Sequence, residues 1–358
     1  MSKKIIFCSG GTGGHIFPAV SMMNYLSDKG YDVMLVTDKR GSNYLEKHPN
    51  LKWQIINADT PTNKNYLKKV GSYFNIIFAI FKSIFIIKRI KPDLIFGFGG
   101  YASFPIAFTS KFFNIPLIIY DNNLVLGRAN KILSSFAKKI LLAVKDSKNF
   151  SDKQNKKLFE VGYILRKEIM NYSNNKLNDN NKFSILVLGG SQGASIFGKI
   201  IPPLIKKIKD QGHTIEIKQQ CLDTQKKDII DFYEKNNIKN EIFTFSEKIL
   251  NIISSSDLAI SRCGASTTAE LVQTLTPFIG IPLPTSIDNH QLLNAEYFRE
   301  KGCCWVLNEN DLNDKNLLDL IITIIKDRKK LSNAREKMKN IASRNVYTKV
   351  ENVIKDLI

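Results

Sequence analysis

The sequence predicts an α/β protein made of two Rossmann-like, doubly wound domains in tandem. Three observations carry that prediction. Short apolar runs alternate with helix-length segments along the whole chain, the order that βαβ units and parallel sheets require. Several runs are rich in Ile and Val without every-second-residue alternation, as strands buried on both faces should be. Two series of runs can be separated, and each opens with a strand that leads into a glycine cluster.

The first series is Lys4–Ser9, Asp32–Asp38, Trp53–Asn57, Asp93–Phe98, Pro116–Asp121 and Lys139–Val144. The second is Ser184–Leu188, Thr214–Gln219, Ile242–Phe245, Asp257–Ser261, Pro277–Pro282 and Cys304–Leu307. The first domain is expected over 1–163, ending near Val161-Gly162, and the second over 164–340. Residues 341–358 are expected to form a C-terminal helix that packs back on the first domain. The tract Asn171–Lys182 (NYSNNKLNDNNK) reads as a flexible polar excursion. Ligands of open parallel sheets bind beyond the carboxyl ends of the strands. Two such domains facing a cleft would therefore line it with loops from both.

Composition bounds the function. Apolar residues at 43% and charged residues at 24% of 358 are ordinary globular usage and exclude wholesale disorder. The five cysteines, Cys8, Cys221, Cys263, Cys303 and Cys304, are scattered in a pattern that suits neither a zinc site nor a disulfide framework. A reducing cytosol is the natural reading. The net charge of +19 is uneven: residues 1–163 hold 24 basic and 10 acidic side chains, the remainder 28 and 23. A basic first half points to an anionic partner, whether phosphorylated substrate, membrane surface or nucleic acid. Lys/Asn/Ile drift from an AT-rich genome is the bland alternative, but drift should charge both halves alike. The four apolar residues Ile5 to Cys8 are too few for a signal sequence. The most apolar stretch, Tyr73–Ile87, is interrupted by Asn75, Lys82 and Ser83 and falls short of the ~20 apolar residues of a membrane span.

Three glycine loops follow strands. The first is Ser9-Gly10-Gly11-Thr12-Gly13-Gly14-His15, with Pro18 early in the next helix. Glycines let backbone approach a ligand closely, and the following helix N-terminus favours an anion. A dinucleotide fingerprint fits poorly, because its third glycine would fall at Ile16, although Asp38 could mimic a ribose-binding acid. The second loop is Gly97-Phe98-Gly99-Gly100-Tyr101-Ala102-Ser103-Phe104-Pro105 and the third Gly189-Gly190-Ser191-Gln192-Gly193-Ala194. None carries the Lys-Ser/Thr of a P-loop. Three anion cradles over two domains suggest more than one phosphate-bearing ligand.

In order, GGTGGH, GGY-A-S-x-P, GGSQGA, R-x-G-A-x-T-x-x-E and H-Q-x-x-N-A resemble the MurG family, the N-acetylglucosaminyltransferases that convert lipid I to lipid II in peptidoglycan synthesis. The resemblance spans Gly10 to Ala295. It implies the two-domain glycosyltransferase B fold, an inverting reaction, no cofactor or required metal, and a peripheral place on the cytoplasmic face of the bacterial plasma membrane. The implied partners are UDP-GlcNAc, lipid I and an anionic membrane surface, without nucleic acid. On the acceptor side it implies Gly13, Gly14 and His15 of the first loop and Gly99, Gly100 and Tyr101 of the second. On the donor side it implies Thr12, Gly13, Gly14, Asn123, Ser191, Gln192 and Arg166, the last facing the diphosphate. Glu270 is implied to hold the ribose hydroxyls. His290 and Gln291 are implied to read the transferred sugar, with Asn294 closing that motif. There are departures. The family's His-Glu-Gln-Asn is here Tyr120-Asp121-Asn122-Asn123, its Gly-Asn-Pro is Gly162-Tyr163-Ile164, and its Ser or Ala after Arg262 is Cys263.

The chemistry can also be argued from the residues. A diphosphate leaving group needs charge stabilisation from a metal or from protein cations and helix dipoles. There is no Asp-x-Asp motif, and no pair of histidines stands at ligand spacing. Arg166, Ser191 and the helix after Gly193 could supply that charge. The attacking hydroxyl must lose a proton, and histidine is a natural base. His15 is the candidate, with Asp121 competing; alternatively His15 only orients the acceptor phosphate. His48 and His213 have only loop or strand-edge readings. Tyr66–Lys91, flanked by Lys68, Lys69, Lys88, Arg89 and Lys91, suits either an anionic membrane surface or an ordinary core helix. Two rivals remain: a UDP-sugar 2-epimerase on the same fold, and a basic non-catalytic binding protein. The second would not need three phosphate loops and a ribose acid, and no RNA- or DNA-binding motif occurs.

Overall fold

The computed structural model of the chain describes residues 2–11, 13–45, 50–57, 66–145, 150–172, 182–190, 194–312 and 314–358, excepting the side chains of 66–70, 73 and 314. His48, most of the polar tract after Asn171 and the side chains of Lys68 and Lys69 thus lie outside the described residues. The chain divides into two compact units, Met1–Arg166 with Arg344–Ile358, and Lys167–Ser343.

In the first unit, Lys4–Cys8 (β1), Asp32–Thr37 (β2), Trp53–Ile55 (β3), Leu94–Gly97 (β4), Leu117–Asp121 (β5), Lys139–Leu142 (β6) and Leu158–Glu160 (β7) form a parallel sheet ordered β3-β2-β1-β4-β5-β6-β7. Its helices are Gly13–Asp28 (α1), Lys39–Ser42 (α2), Tyr66–Ile90 (α3), Ser103–Thr109 (α4), Arg128–Leu133 (α5) and Asp152–Asn155 (α6). In the second unit, Phe183–Leu188 (β8), Ile215–Gln220 (β9), Lys239–Phe243 (β10), Leu258–Ser261 (β11), Phe278–Gly280 (β12) and Cys304–Val306 (β13) are ordered β10-β9-β8-β11-β12-β13, again parallel. Around them lie Lys167–Met170 (α7), Ser195–Asp210 (α8), Asp223–Lys235 (α9), Ile249–Ser254 (α10), Ala265–Gln273 (α11), His290–Glu300 (α12), Asp314–Lys326 (α13) and Lys329–Ile341 (α14).

The uninterrupted apolar strands have the expected cause. In the first sheet Ile6, Cys8, Ile95 and Ile119 join one buried cluster. The alternate residues Phe7, Phe96, Phe98 and Tyr120 pack together on the opposite face, with ring centres 4.4 Å apart from Phe96 to Phe98 and 5.6 Å apart from Phe98 to Tyr120. Both faces are covered, so both alternating sets are apolar.

Two strands differ from the sequence reading. β7 is absent from it, because LFE is too short an apolar run to signal a strand. β10 begins at Lys239, upstream of the expected Ile242–Phe245, and overlaps that run at Ile242 and Phe243. Its polar opening KNEIF suits an edge strand, and Lys239 is fixed by an ion pair to Glu216 at 3.2 Å.

Strand order positions the functional loops. In the first sheet the winding reverses between β1 and β4, and in the second between β8 and β11. At such a switch point the adjacent loops diverge and leave a crevice. The first and second glycine loops leave β1 and β4; the third glycine loop and the Arg262–Glu270 segment leave β8 and β11.

The last helix, Val346–Lys355 (α15), belongs with the first unit and packs on α1. The Tyr347 ring stacks on Tyr25 at 5.0 Å, and the Tyr25 hydroxyl donates to Glu351 at 2.6 Å. Hydrogen bonds from Lys355 and Tyr25 hold the Glu351 carboxyl below its usual range.

Candidate active site

In the first unit the two glycine loops touch through their backbones. A Cβ on Gly100 would lie 2.6 Å from the Gly10 carbonyl oxygen, and one on Gly10 would lie 2.4 Å from Ala102 Cβ. Gly100 also turns through a φ of +80°, which disfavours any side chain there. The close approach of the two loops thus needs glycine at Gly10 and Gly100. Asp38 receives N–H bonds from Gly11 at 3.2 Å and Gly41 at 2.7 Å. It caps α2 and steadies the first loop, which explains the acid without a ribose.

His15 lies in the first turn of α1, half-buried, with its ring against the second loop. A Cβ on Gly99 would be 3.2 Å from His15 Cε1, 3.3 Å from Nδ1 and 3.4 Å from Asn130 Nδ2. Pro18 has no N–H to donate to the Gly14 carbonyl four residues back. The Asn122 side chain donates to that carbonyl instead, at 3.0 Å. The proline thus turns a helix carbonyl into an attachment point for the loop after β5. Only the Gly14–Pro18 spacing signals this pairing in the sequence, and the sequence reading does not contain it.

Asp121 ends β5 and is 3% exposed. Its Oδ2 accepts from Gly127 N at 2.8 Å and Asn130 Nδ2 at 3.0 Å; its Oδ1 accepts from Asn123 N at 3.1 Å and Asn123 Nδ2 at 3.2 Å. The carboxylate organises the loop that carries Asn122 and Asn123. The structure thus brings Gly13, Gly14, His15, Gly99, Gly100, Asp121 and Asn123 together, with half-buried Tyr101 beside them in the second loop. Arg166 also lies in this unit, whereas the sequence reading assigns it to the second domain; its guanidinium stands 5.7 Å from the Phe17 ring centre. Two of the family departures meet: the Tyr120 hydroxyl accepts from Ile164 N at 3.0 Å. Ile164 has the N–H that a proline would lack.

Thr12 of the first loop and Ser191 and Gln192 of the third lie outside the described residues. In the second unit Gly264 precedes α11, and among the described residues beyond its chain neighbours no atom stands within 4 Å of where its Cβ would be. Glu270 follows on that helix, half-buried. Gln291 Oε1 accepts from Cys263 N at 3.1 Å and Leu283 N at 3.0 Å. It ties the loops after β11 and β12, so any sugar contact falls to its amide nitrogen. Buried Asn294 donates to the Cys263 carbonyl at 3.2 Å. His290 Nδ1 donates to the Ile287 carbonyl at 2.7 Å, which leaves Nε2 as its outward nitrogen. Arg262 is a strut: it pairs with Glu309, reaches the Ile281 carbonyl at 3.2 Å and covers the Phe197 ring at 4.9 Å. Burial pushes the Cys263 thiol well above the usual cysteine range, so it is no nucleophile at neutral pH. Among the described residues no cluster of three or more His, Cys, Asp or Glu is arranged to hold a metal.

Two doubly wound units with glycine loops at their switch points define a class of fold, the two-domain glycosyltransferase B fold. Residues 5–142 match the glycosyltransferase family 28 N-terminal domain and residues 184–352 the family 28 C-terminal domain. A Pelagibacter ubique (strain HTCC1062) protein named UDP-N-acetylglucosamine--N-acetylmuramyl-(pentapeptide) pyrophosphoryl-undecaprenol N-acetylglucosamine transferase is 36% identical over 352 residues, 98% of this chain and 97% of its own. A protein of the same name from Rickettsia canadensis (strain McKiel) is 38% identical over 340 residues, 93% of each chain. The chain belongs to the MurG family. Acinetobacter baumannii MurG shares the fold at a TM-score of 0.81 and 24% identity over 99% of both chains. S. aureus MnaA, solved with UDP, shares it at 0.70 and 14% identity over 99% of this chain and 98% of its own.

Proposed function

We propose that the chain transfers N-acetylglucosamine from UDP-GlcNAc to the muramoyl 4-hydroxyl of lipid I, with inversion, to form lipid II. The observation that carries this reading is the family membership across nearly the whole chain, together with glycine loops at both switch points. His15 takes the proton of the 4-hydroxyl as its oxygen attacks the anomeric carbon. The bond from that carbon to the UDP oxygen breaks, and UDP leaves with the electron pair. Arg166 and the loop after β8 stabilise the diphosphate charge. Glu270 accepts from the ribose hydroxyls. The four N–H donors on Asp121 favour His15 over Asp121 as base, because they occupy the lone pairs a base would use. The test is transfer of labelled GlcNAc from UDP-GlcNAc to a short-chain lipid I analogue. Labelled product is expected; conversion of UDP-GlcNAc to its 2-epimer without acceptor would contradict it. Product formation is expected to persist in excess EDTA. Complete loss restored by Mg²⁺ or Mn²⁺ would show that a cation carries the diphosphate charge.

The enzyme works as a peripheral protein on the cytoplasmic face of the plasma membrane, where its lipid-linked acceptor resides. No described helix is long and apolar enough to cross a membrane. Helix α3 buries Ala79, Ser83, Ile86 and Ile87 on one face and exposes Phe74, Ile77, Phe78, Phe81 and Phe85 on the other. Phe78 and Phe85 are 71% and 72% exposed. On α4, which packs against α3, Phe104 and Phe108 stack, and Phe112 just beyond continues the row outward. Such a row rimmed by Lys88, Arg89 and Lys111 supports insertion into an anionic interface. Each aromatic ring removed from water contributes about 1.5–3 kcal/mol, and each nearby Lys or Arg about 1 kcal/mol. Phe78→Asp with Phe85→Asp, or Lys88→Glu with Arg89→Glu, should release the protein from anionic vesicles in a flotation assay without weakening UDP binding. Unchanged flotation of both pairs would place the membrane face elsewhere.

A further inference from the structure

Residues 162–166 are held by two tyrosine hydroxyls from distant parts of the chain. Tyr120 of β5 is buried; its hydroxyl accepts from Ile164 N at 3.0 Å and donates to the Gly162 carbonyl at 3.3 Å. Burial pushes its phenol well above the ordinary tyrosine range, so it keeps its proton and can do both. Gly162 turns through a φ of +95°, which fixes the direction in which the segment leaves β7. From α15, the Tyr347 hydroxyl donates to the Leu165 carbonyl at 2.5 Å, while its ring is held against Tyr25. The next residue is Arg166, over Phe17 of the helix that carries His15.

We propose that Tyr120 and Tyr347 are positioning residues for the transfer: their hydroxyls fix the backbone of residues 162–166 and so aim the Arg166 guanidinium. The proposal rests on the donor-diphosphate role given to Arg166 above. A guanidinium on a fixed backbone loses less freedom when it meets an anion, so removing either hydroxyl weakens donor binding without touching the donor. It also gives the C-terminal helix a part in the reaction: α15 supplies one of the two anchors.

The test is steady-state kinetics of the full chain as Tyr120→Phe, Tyr347→Phe, Arg166→Ala and the two pairs that combine each tyrosine change with Arg166→Ala. Loss of one neutral hydrogen bond in Tyr347→Phe should raise the donor KM about three- to tenfold, and loss of two in Tyr120→Phe at least as much, with the acceptor KM unchanged. In the Arg166→Ala background neither tyrosine change should add to the donor KM, as residues acting through one group are not additive. Tyr347 is only half-buried, so Tyr347→Phe keeps the test decisive even if Tyr120→Phe melts early. Arg166→Ala raising the donor KM while Tyr347→Phe leaves it unchanged overturns the proposal and preserves the role of Arg166. Arg166→Ala at the native donor KM overturns that role and the proposal with it. Tyrosine effects of equal size with and without Arg166 show that the hydroxyls act by another route and overturn the proposal alone.

Discussion

A His15→Ala variant should lose about 10²–10⁴ in kcat, the usual contribution of a positioned general base. That is about 3–5 kcal/mol on the barrier. The donor KM should stay close to the native value, because the ribose is assigned to Glu270 and the diphosphate to Arg166 and the loop after β8. The fold should survive the change: α1 is anchored by buried Ile16, Ala19, Met22, Met23 and Leu26, and alanine is a good helix former. In the pH–rate profile the acidic limb should flatten, since the group whose protonation stops the reaction is gone, while the basic limb should persist. A near-native kcat would remove His15 from the chemistry and promote Asp121. Substituting Asp121 is the weaker comparison. Its carboxylate holds Gly127, Asn130 and Asn123 in place, so its loss disturbs the loop whether or not it touches a proton.

Glu270→Ala should act on the other substrate. A carboxylate that accepts from ribose hydroxyls makes charge-assisted hydrogen bonds of about 1.5–3 kcal/mol. Their loss should raise the donor KM by roughly 10- to 150-fold. The acceptor KM should not move. Glu270 is half-buried near the middle of α11, whose buried side is Ala265, Thr268, Ala269, Leu271 and Val272, so the helix should keep its packing. Glu270→Gln should fall between the two, since an amide oxygen still accepts but carries no charge. A Glu270→Ala enzyme with an unchanged donor KM and a lowered kcat would move Glu270 from ribose to the reacting atoms.

The central strands are legible in the sequence because burial on both faces leaves an uninterrupted apolar signature. β1, β4, β5, β8 and β11 all lie within a residue or two of the runs that signal them. The edges are harder. β7 has three residues and β10 opens on Lys-Asn-Glu, because an edge strand needs less apolar surface and its polar side chains find ion pairs such as Lys239–Glu216. The glycine loops are legible as motifs, but part of their reason is not. That Gly10 and Gly100 exist for one another is a contact between residues ninety positions apart in the chain, which no local pattern carries. The same holds for Asn122, whose donation to Gly14 answers a carbonyl orphaned by Pro18. In the sequence Tyr120 and Ile164 look like separate departures from the family; in the fold the hydroxyl of one pairs with the N–H of the other. The α3 segment is readable as either core or surface; a 25-residue helix with Ala79 and Ile86 buried and Phe78 and Phe85 exposed serves both.

The division of labour comes down to two side chains: Glu270 of the second unit holds the ribose, and His15 of the first takes the proton. Calorimetric titration of UDP into the native chain, His15→Ala and Glu270→Ala tests it most directly, because UDP has no reacting sugar and reports donor binding alone. His15→Ala should bind UDP as the native chain does, and Glu270→Ala should bind it at least tenfold more weakly, about 1.4 kcal/mol. Native affinity in Glu270→Ala, or a comparable loss in His15→Ala, would contradict that division.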